Sequence, residues 1–209
     1  MIVEIDLNDN ITVVELTGLI NNYPIYYKCE YHEAIELIDK YNIKDVKLNY
    51  LTKNSKATLL DYNNKNVRIE PGAIIRKNVI LEDNVIVLMG AVINIGCHIG
   101  ENTMIDMNSV IGSKAVIGKN CHIGAGCVIA GVLEPSSLKP VVIEDNVFIG
   151  ANSVILEGLR VGSGSIIGAG SIVTKDIPSD SLVYGTSAKI IRKIDNAVLS
   201  KVNINYDLR

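Results

Sequence analysis

A chain of 209 residues that is 48% hydrophobic yet carries one Phe and no Trp must build its core from aliphatic side chains. Its formal charge of −3 argues against a general nucleic-acid surface while leaving room for a local basic patch toward a phosphorylated cofactor. No apolar run approaches the length of a membrane span, and the opening MIVEIDLNDN is acidic without a signal-peptide pattern, so a soluble, cytoplasmic protein with no membrane partner is expected.

Residues 1–65 carry most of the tyrosines and read as a small α/β cap. Within it, ITVVELTGLI at 11–20 is a strand candidate. HEAIELIDKY at 32–41 places Ala34, Ile35, Leu37, Ile38 and Tyr41 on one helical face, and DVKLNY at 45–50 suits a second strand. The plain role of such a cap is to seal the open first coil of a repeat region that begins near Ile69.

From Ile69 onward every sixth residue is aliphatic: Ile69, Ile75, Leu81, Val87, Ile93, Ile99, Ile105, Ile111, Ile117, Ile123 and Ile129. After a slip the series resumes as Ile143, Ile149, Ile155, Val161, Ile167 and Val173. Four residues after each comes a small or β-branched residue, such as Ala73, Ala91, Cys97, Thr103, Ser109, Cys121, Cys127, Ser153 and Ser171, with Leu159 the bulky exception. A period of six suits neither a helix nor a flat strand. It fits short strands and sharp corners, three hexads to a triangular coil, with each coil burying its apolar side only against its neighbours. Asn78, Asn84, Asn102, Asn120, Asn146 and Asn152 fall where the corners call for positive φ. The fold expected is therefore a left-handed parallel β-helix over residues 66–180, with a loop at about 130–142 where AGVLEPSSLKPVV breaks the register. Long loops in a regular scaffold are disproportionately functional. Residues 181–209 read as a C-terminal helix and tail, with AKIIRKID the short helix carrying Lys189, Arg192 and Lys193. The cysteines Cys29, Cys97, Cys121 and Cys127 lack C-x-x-C spacing and read as reduced, packed thiols.

The stretches NVRIEPGAIIR, TMIDMN, KNCHIGAG and VLEP followed by KPVVIED resemble the tetrahydrodipicolinate N-acetyltransferases over roughly residues 54–195. That family is in turn similar to the N-succinyltransferases of the same acceptor. The resemblance implies transfer of an acetyl group from acetyl-CoA to the amine of ring-opened tetrahydrodipicolinate, towards diaminopimelate and lysine. It also implies a homotrimer with active sites in clefts between adjacent β-helices. The chain departs from the family pattern in a shorter N-terminal region and in Ser136 and Ser187, which stand where prolines are usual.

An amine attacking a thioester needs a proton acceptor, and the resulting oxyanion needs hydrogen-bond donors. Asp106 directly follows an inward aliphatic residue, so its side chain emerges on a wall; the resemblance makes it the candidate for contacting the substrate amine. Glu134 in the loop is a second acid/base or orienting candidate, or simply part of the loop's fold. His122 also faces outward as an acid/base, a hydrogen-bonding cleft residue or a plain surface residue, and Asn108 is a donor for the same cleft. For the acceptor's carboxylates the resemblance offers Arg68, with Arg76 as the nearby competitor. Similarity to other hexad acetyltransferases implies CoA along the later coils, its pantetheine amides on backbone groups of Gly150-Ala151 and Gly168-Ala169, unless the corners merely need small residues. Thr174 would assist, and Lys189 and Arg192 would face the phosphates or form a solvated basic end. A zinc enzyme would need three convergent histidines, and counting hexads puts His98 and His122 on different faces with His32 in the cap, so no metal is expected. Another amino acid or an amino sugar as acceptor, or succinyl-CoA as donor, stays open to the residues themselves, as does a noncatalytic scaffold.

Overall fold

A computed structural model describes residues 13–50, 59–63, 65–132 and 139–195. The described residues divide into two compact units, one within 13–50 and the other within 59–195.

In the first unit, β1 (Val13–Ile20), β2 (Tyr23–Glu30), α1 (Tyr31–Tyr41) and β3 (Lys44–Tyr50) form an antiparallel sheet of order β2-β1-β3 with one helix. The strand β2 was not anticipated. Its signal was the Asn21-Asn22 pair, whose φ values of 51° and 68° make the tight turn between hairpin strands, followed by a run rich in Tyr and Ile. The helix starts with the Glu33 carboxylate accepting the Glu30 N–H at 3.1 Å and ends at Asn42 with φ 47°. Leu16, Ala34 and Ile43 are the buried centre of this unit, with Leu37 and Ile38 packed beside them, whereas Ile35 and Tyr41, expected on the same apolar face, are exposed.

The second unit is a triangular parallel β-helix of hexapeptide repeats, the left-handed solenoid expected. Each coil contributes a two-residue strand to each of three faces. The first face stacks Arg68–Ile69, Ile86–Val87, Met104–Ile105, His122–Ile123, Phe148–Ile149 and Ile166–Ile167. The second runs from Ile74–Ile75 to Ile172–Val173, and the third from Ile80–Leu81 to Arg160–Val161. In each pair the second residue turns inward, and from Ile75 onward these inward residues are buried in one continuous aliphatic cluster. Residues 59–63 and 65, grouped with the cap by sequence, belong here: the Leu60 N–H donates to the Ile75 carbonyl at 2.8 Å, and Leu60 packs on the core.

The small residues four places on are polar for a physical reason. Their hydroxyls and thiols donate to glycine carbonyls at the corner of the next coil: Thr103 to Gly118 at 2.7 Å, Ser109 to Gly124 at 2.9 Å, Ser153 to Gly168 at 3.0 Å. Cys97 and Cys127 do the same to Gly112 and Gly150. Each bond satisfies a buried polar group in a tube that water does not enter. The predicted corner asparagines all have φ between 54° and 61°, and Asn66, Asn84, Asn102 and Asn120 link side chain to side chain up one edge.

The ladder resumes in register beyond the loop, with Val142 paired to Val116 and Ile143 to Ile117. Glu134 lies within residues 133–138, outside the described residues.

The C-terminal helix is corrected. Lys189–Lys193 is a strand, antiparallel to Ser181–Tyr184, which itself extends the first face beyond Ile166–Ile167. An edge strand leaves a row of backbone groups open, and a segment centred on two isoleucines supplies the partner. Lys189 lies opposite Tyr184 and Arg192 opposite Leu182, with a bulge between. Cross-strand partners share a face, so the bulge keeps the two cations on one side, as the helix would have done.

Candidate active site

The residue before each inward residue points out of the tube. On the first face these form a column, Arg68, Ile86, Met104, His122, Phe148 and Ile166, one per coil. The residue after each inward one begins the adjoining corner: Glu70, Leu88, Asp106, Gly124, Gly150 and Gly168. Asp106 and His122 therefore stand one coil apart on neighbouring columns, and the structure brings them together. Asp106 Oδ2 lies 4.0 Å from His122 Nε2, with 19% and 22% of the two side chains still exposed, enough for a small substrate to reach both. The other carboxylate oxygen, Oδ1, accepts the Met107 N–H at 2.7 Å and fixes the group against its own corner. The His122 ring stacks on Phe148, centroids 4.7 Å apart and planes within 10°. Beneath the corner, the Cys127 thiol is pushed up by burial, with the Asp106 charge adding to the effect, so it is held as a neutral thiol and not as a nucleophile.

Above Asp106 the same corner carries no side-chain cap among the described residues. At four positions on other corners a side chain does cap the equivalent N–H: Asn94 at Ile95, Glu82 at Glu101, Asp145 at Lys119 and Glu144 at Ser163, all within 3.0 Å. On the Asp106 corner, Met107 is capped, but the next positions up are Ala125, Ala151 and Ala169. Their N–H groups have no hydrogen-bond partner among the described residues. With coils about 4.8 Å apart, these donors form a row about 10 Å long. The glycines beside them are engaged inside the solenoid. Gly150 donates to Ile167 and accepts from Cys127; Gly168 donates to Val183 and accepts from Ser153 and Ser171. The free donors of the Gly-Ala pairs are thus the alanines, while the glycines allow coils to approach: a Cβ on Gly150 would lie 2.5 Å from the Ala169 nitrogen.

The remaining candidates separate by face. Arg68 shares the first face with His122, two coils below Met104, and its Nε is 3.3 Å from Glu70 Oε1. Arg76 follows the second face, at a different corner, bridged through its backbone to Leu59. Asn108 is a corner residue with φ 57°, its amide oxygen over Gly90, where any Cβ would collide with it. Thr174 is exposed at the far edge of the second face from Gly168-Ala169. Lys189 and Arg192 are exposed on the terminal hairpin, and Arg192 pairs with Asp195. His98 stands on the third face and His122 on the first, and among the described residues no group of three His, Cys, Asp or Glu could hold a metal.

Sequence reasoning missed Phe148, Ala125 and Tyr184, whose ring lies over Gly168. Phe148 could have been found as the chain's one Phe, at the outward hexad position in line with His122.

Comparison with known proteins agrees with this architecture. The family model described as bacterial transferase hexapeptide (six repeats) matches residues 96–131, and that of the hexapeptide repeat of succinyl-transferase matches residues 140–175. The 2,3,4,5-tetrahydropyridine-2,6-dicarboxylate N-acetyltransferase of Alkaliphilus metalliredigens is 55% identical over 168 residues, 80% of this chain and 71% of that protein. The enzyme of the same name from Staphylococcus carnosus is 56% identical over 182 residues, 85% and 76% of the two chains. Among solved structures, a mutant perosamine N-acetyltransferase from Caulobacter crescentus in complex with CoA and GDP-perosamine superposes with a TM-score of 0.54 at 28% identity, covering 60% of this chain and 58% of the other. A hexapeptide transferase family protein from Anaplasma phagocytophilum gives 0.51 at 26% identity, over 65% and 83%.

Proposed function

The chain belongs to the 2,3,4,5-tetrahydropyridine-2,6-dicarboxylate N-acetyltransferase family, and from that premise we infer how its residues carry the reaction. It transfers the acetyl group of acetyl-CoA to the amine of ring-opened tetrahydrodipicolinate, giving N-acetyl-2-amino-6-oxopimelate for diaminopimelate and lysine biosynthesis. The observation that carries the site assignment is the Asp106–His122 pair at the foot of the uncapped corner.

The acceptor amine attacks the thioester carbonyl as the Asp106–His122 pair takes a proton from it; the new C–N bond forms while the carbonyl becomes an oxyanion. Uncapped corner N–H groups, Ala125 being one coil above Asp106, supply the donors such an oxyanion needs. Collapse breaks the C–S bond, and the proton held by the pair neutralises the departing CoA thiolate. The pantetheine arm runs up the corner with its amides on the Ala151 and Ala169 N–H groups, and Lys189 and Arg192 on the terminal hairpin face the phosphates. Arg68, on the same face as His122, pairs with an acceptor carboxylate. No metal takes part in this reading. The active unit is a homotrimer in the cytoplasm with acceptor clefts between neighbouring solenoids, a reading supported by the partial exposure of the Asp106–His122 pair on an outer face of the solenoid. Among the described residues no helix is long and apolar enough to cross a membrane.

The decisive experiment is a substrate panel. Acetyl-CoA with tetrahydrodipicolinate should turn over at least about a hundredfold faster than succinyl-CoA with the same acceptor, or than acetyl-CoA with a nucleotide amino sugar. Faster turnover of the amino sugar would overturn the acceptor assignment, and preference for succinyl-CoA the donor.

A further inference from the structure

We propose that Phe148 is a positioning residue for acyl transfer, holding the His122 imidazole in the orientation that faces Asp106; this rests on the reading of Asp106 and His122 as the proton-handling pair. Phe148 is the direct ladder partner of His122 on the next coil, and the two rings lie nearly parallel, centroids 4.7 Å apart. The remaining outward positions of this face are aliphatic, Met or Arg, and the chain's one Phe falls directly above the histidine. Its other side is held as well. Phe148 packs against the nearly fully buried pair Ile166 and Leu182, which Ile194 beyond the terminal hairpin also covers.

The torsion that swings an imidazole is broad, and the Asp106 carboxylate lies 4.0 Å from the ring nitrogen that must face it. A flat ring against the imidazole restricts that swing through stacking, and small misplacement of a catalytic group lowers the rate steeply. The clamp acts on orientation, so its loss falls on kcat and leaves substrate binding in place.

The test uses the full chain in its native assembly, with Phe148→Leu and Phe148→Tyr made alone and in a His122→Ala background. Phe148→Leu should lower kcat about tenfold, with both KM values within about twofold and the melting temperature little changed. Phe148→Tyr keeps the ring and should restore most of the rate. In the His122→Ala background Phe148→Leu should cause no further loss, because its effect passes through the imidazole. Should Phe148→Leu fail to fold, Phe148→Met, which keeps the bulk without a ring, must show the same kcat loss. Retention of kcat within about twofold in the folded variant, or an equal loss in the His122→Ala background, overturns the proposal. If His122→Ala itself turns over normally, the proton-handling reading falls together with it. If His122→Ala is crippled and Phe148→Leu is not, the positioning role alone falls.

Discussion

Replacing Asp106 with Asn separates the chemical role of this carboxylate from its structural one. In the folded protein Oδ1 accepts the Met107 N–H at 2.7 Å, and an Asn amide oxygen accepts that bond equally, so the fold should lose less than about 1 kcal/mol. Oδ2, which lies 4.0 Å from His122 Nε2, becomes an NH2 donor. It can no longer stabilise a protonated imidazole, and it favours the tautomer with an unprotonated Nε2, reversing the role the carboxylate plays. Proton transfer by a positioned group contributes about 100-fold to 10,000-fold, so kcat should fall by that factor, about 3–5 kcal/mol of barrier. The assay is release of the CoA thiol from acetyl-CoA in the presence of tetrahydrodipicolinate, run beside a thermal melt. A variant that melts like the native protein and keeps turnover within about threefold would show that Asp106 handles no proton. A variant that loses activity and several degrees of stability together would locate its role in the corner instead.

Three further outcomes are expected of the solenoid. Burial pushes the Cys97 thiol up to about 12 and the Cys121 thiol up to about 11, and it raises Cys127 as well. Cys29 is also raised, by partial burial and then by Glu33, but it is the one cysteine that is not buried, so iodoacetamide followed by intact mass should label Cys29 alone before unfolding. The Glu82 carboxyl is held below its ordinary value of 4.5, first by the hydrogen bond from His98 and then by the Glu101 N–H and Lys119, against burial. A carboxylate depressed by folding stabilises above that ordinary value and loses its contribution as pH falls through the folded one. Glu82→Gln should therefore melt about 2–4 °C lower at pH 7, for a bond worth about 1 kcal/mol, with the gap closing as the pH is taken below the carboxylate range. Gly150→Ala would press a methyl to within 2.5 Å of the Ala169 nitrogen, backbone that cannot yield, and denaturant unfolding should show a loss of about 1–3 kcal/mol.

The six-residue period alone determined the solenoid, because an inward residue at every sixth place leaves one way to close a tube. The positions of Ile69 through Val173, the corner asparagines and the outward placement of Asp106 and His122 were all readable from it. Local reading failed where a partner decided the outcome. AKIIRKID has a helix-compatible pattern, yet the open edge of Ser181–Tyr184 drew Lys189–Lys193 into a strand. Tyr23–Glu30 likewise gained its identity from pairing with Val13–Ile20. The site shows the same division. Asp106 and His122 are sixteen residues apart, and nothing in that spacing states that the carboxylate reaches upward to the ring of the coil above. Only the stacked coils showed that Phe148 lies flat on that ring, and that the glycines of the Gly-Ala pairs have engaged backbones while the alanine N–H groups have no partner among the described residues. The reason is physical: a hexad specifies which way each side chain points, but its contacts lie a full coil away, where ladder register and not chain proximity chooses the neighbour.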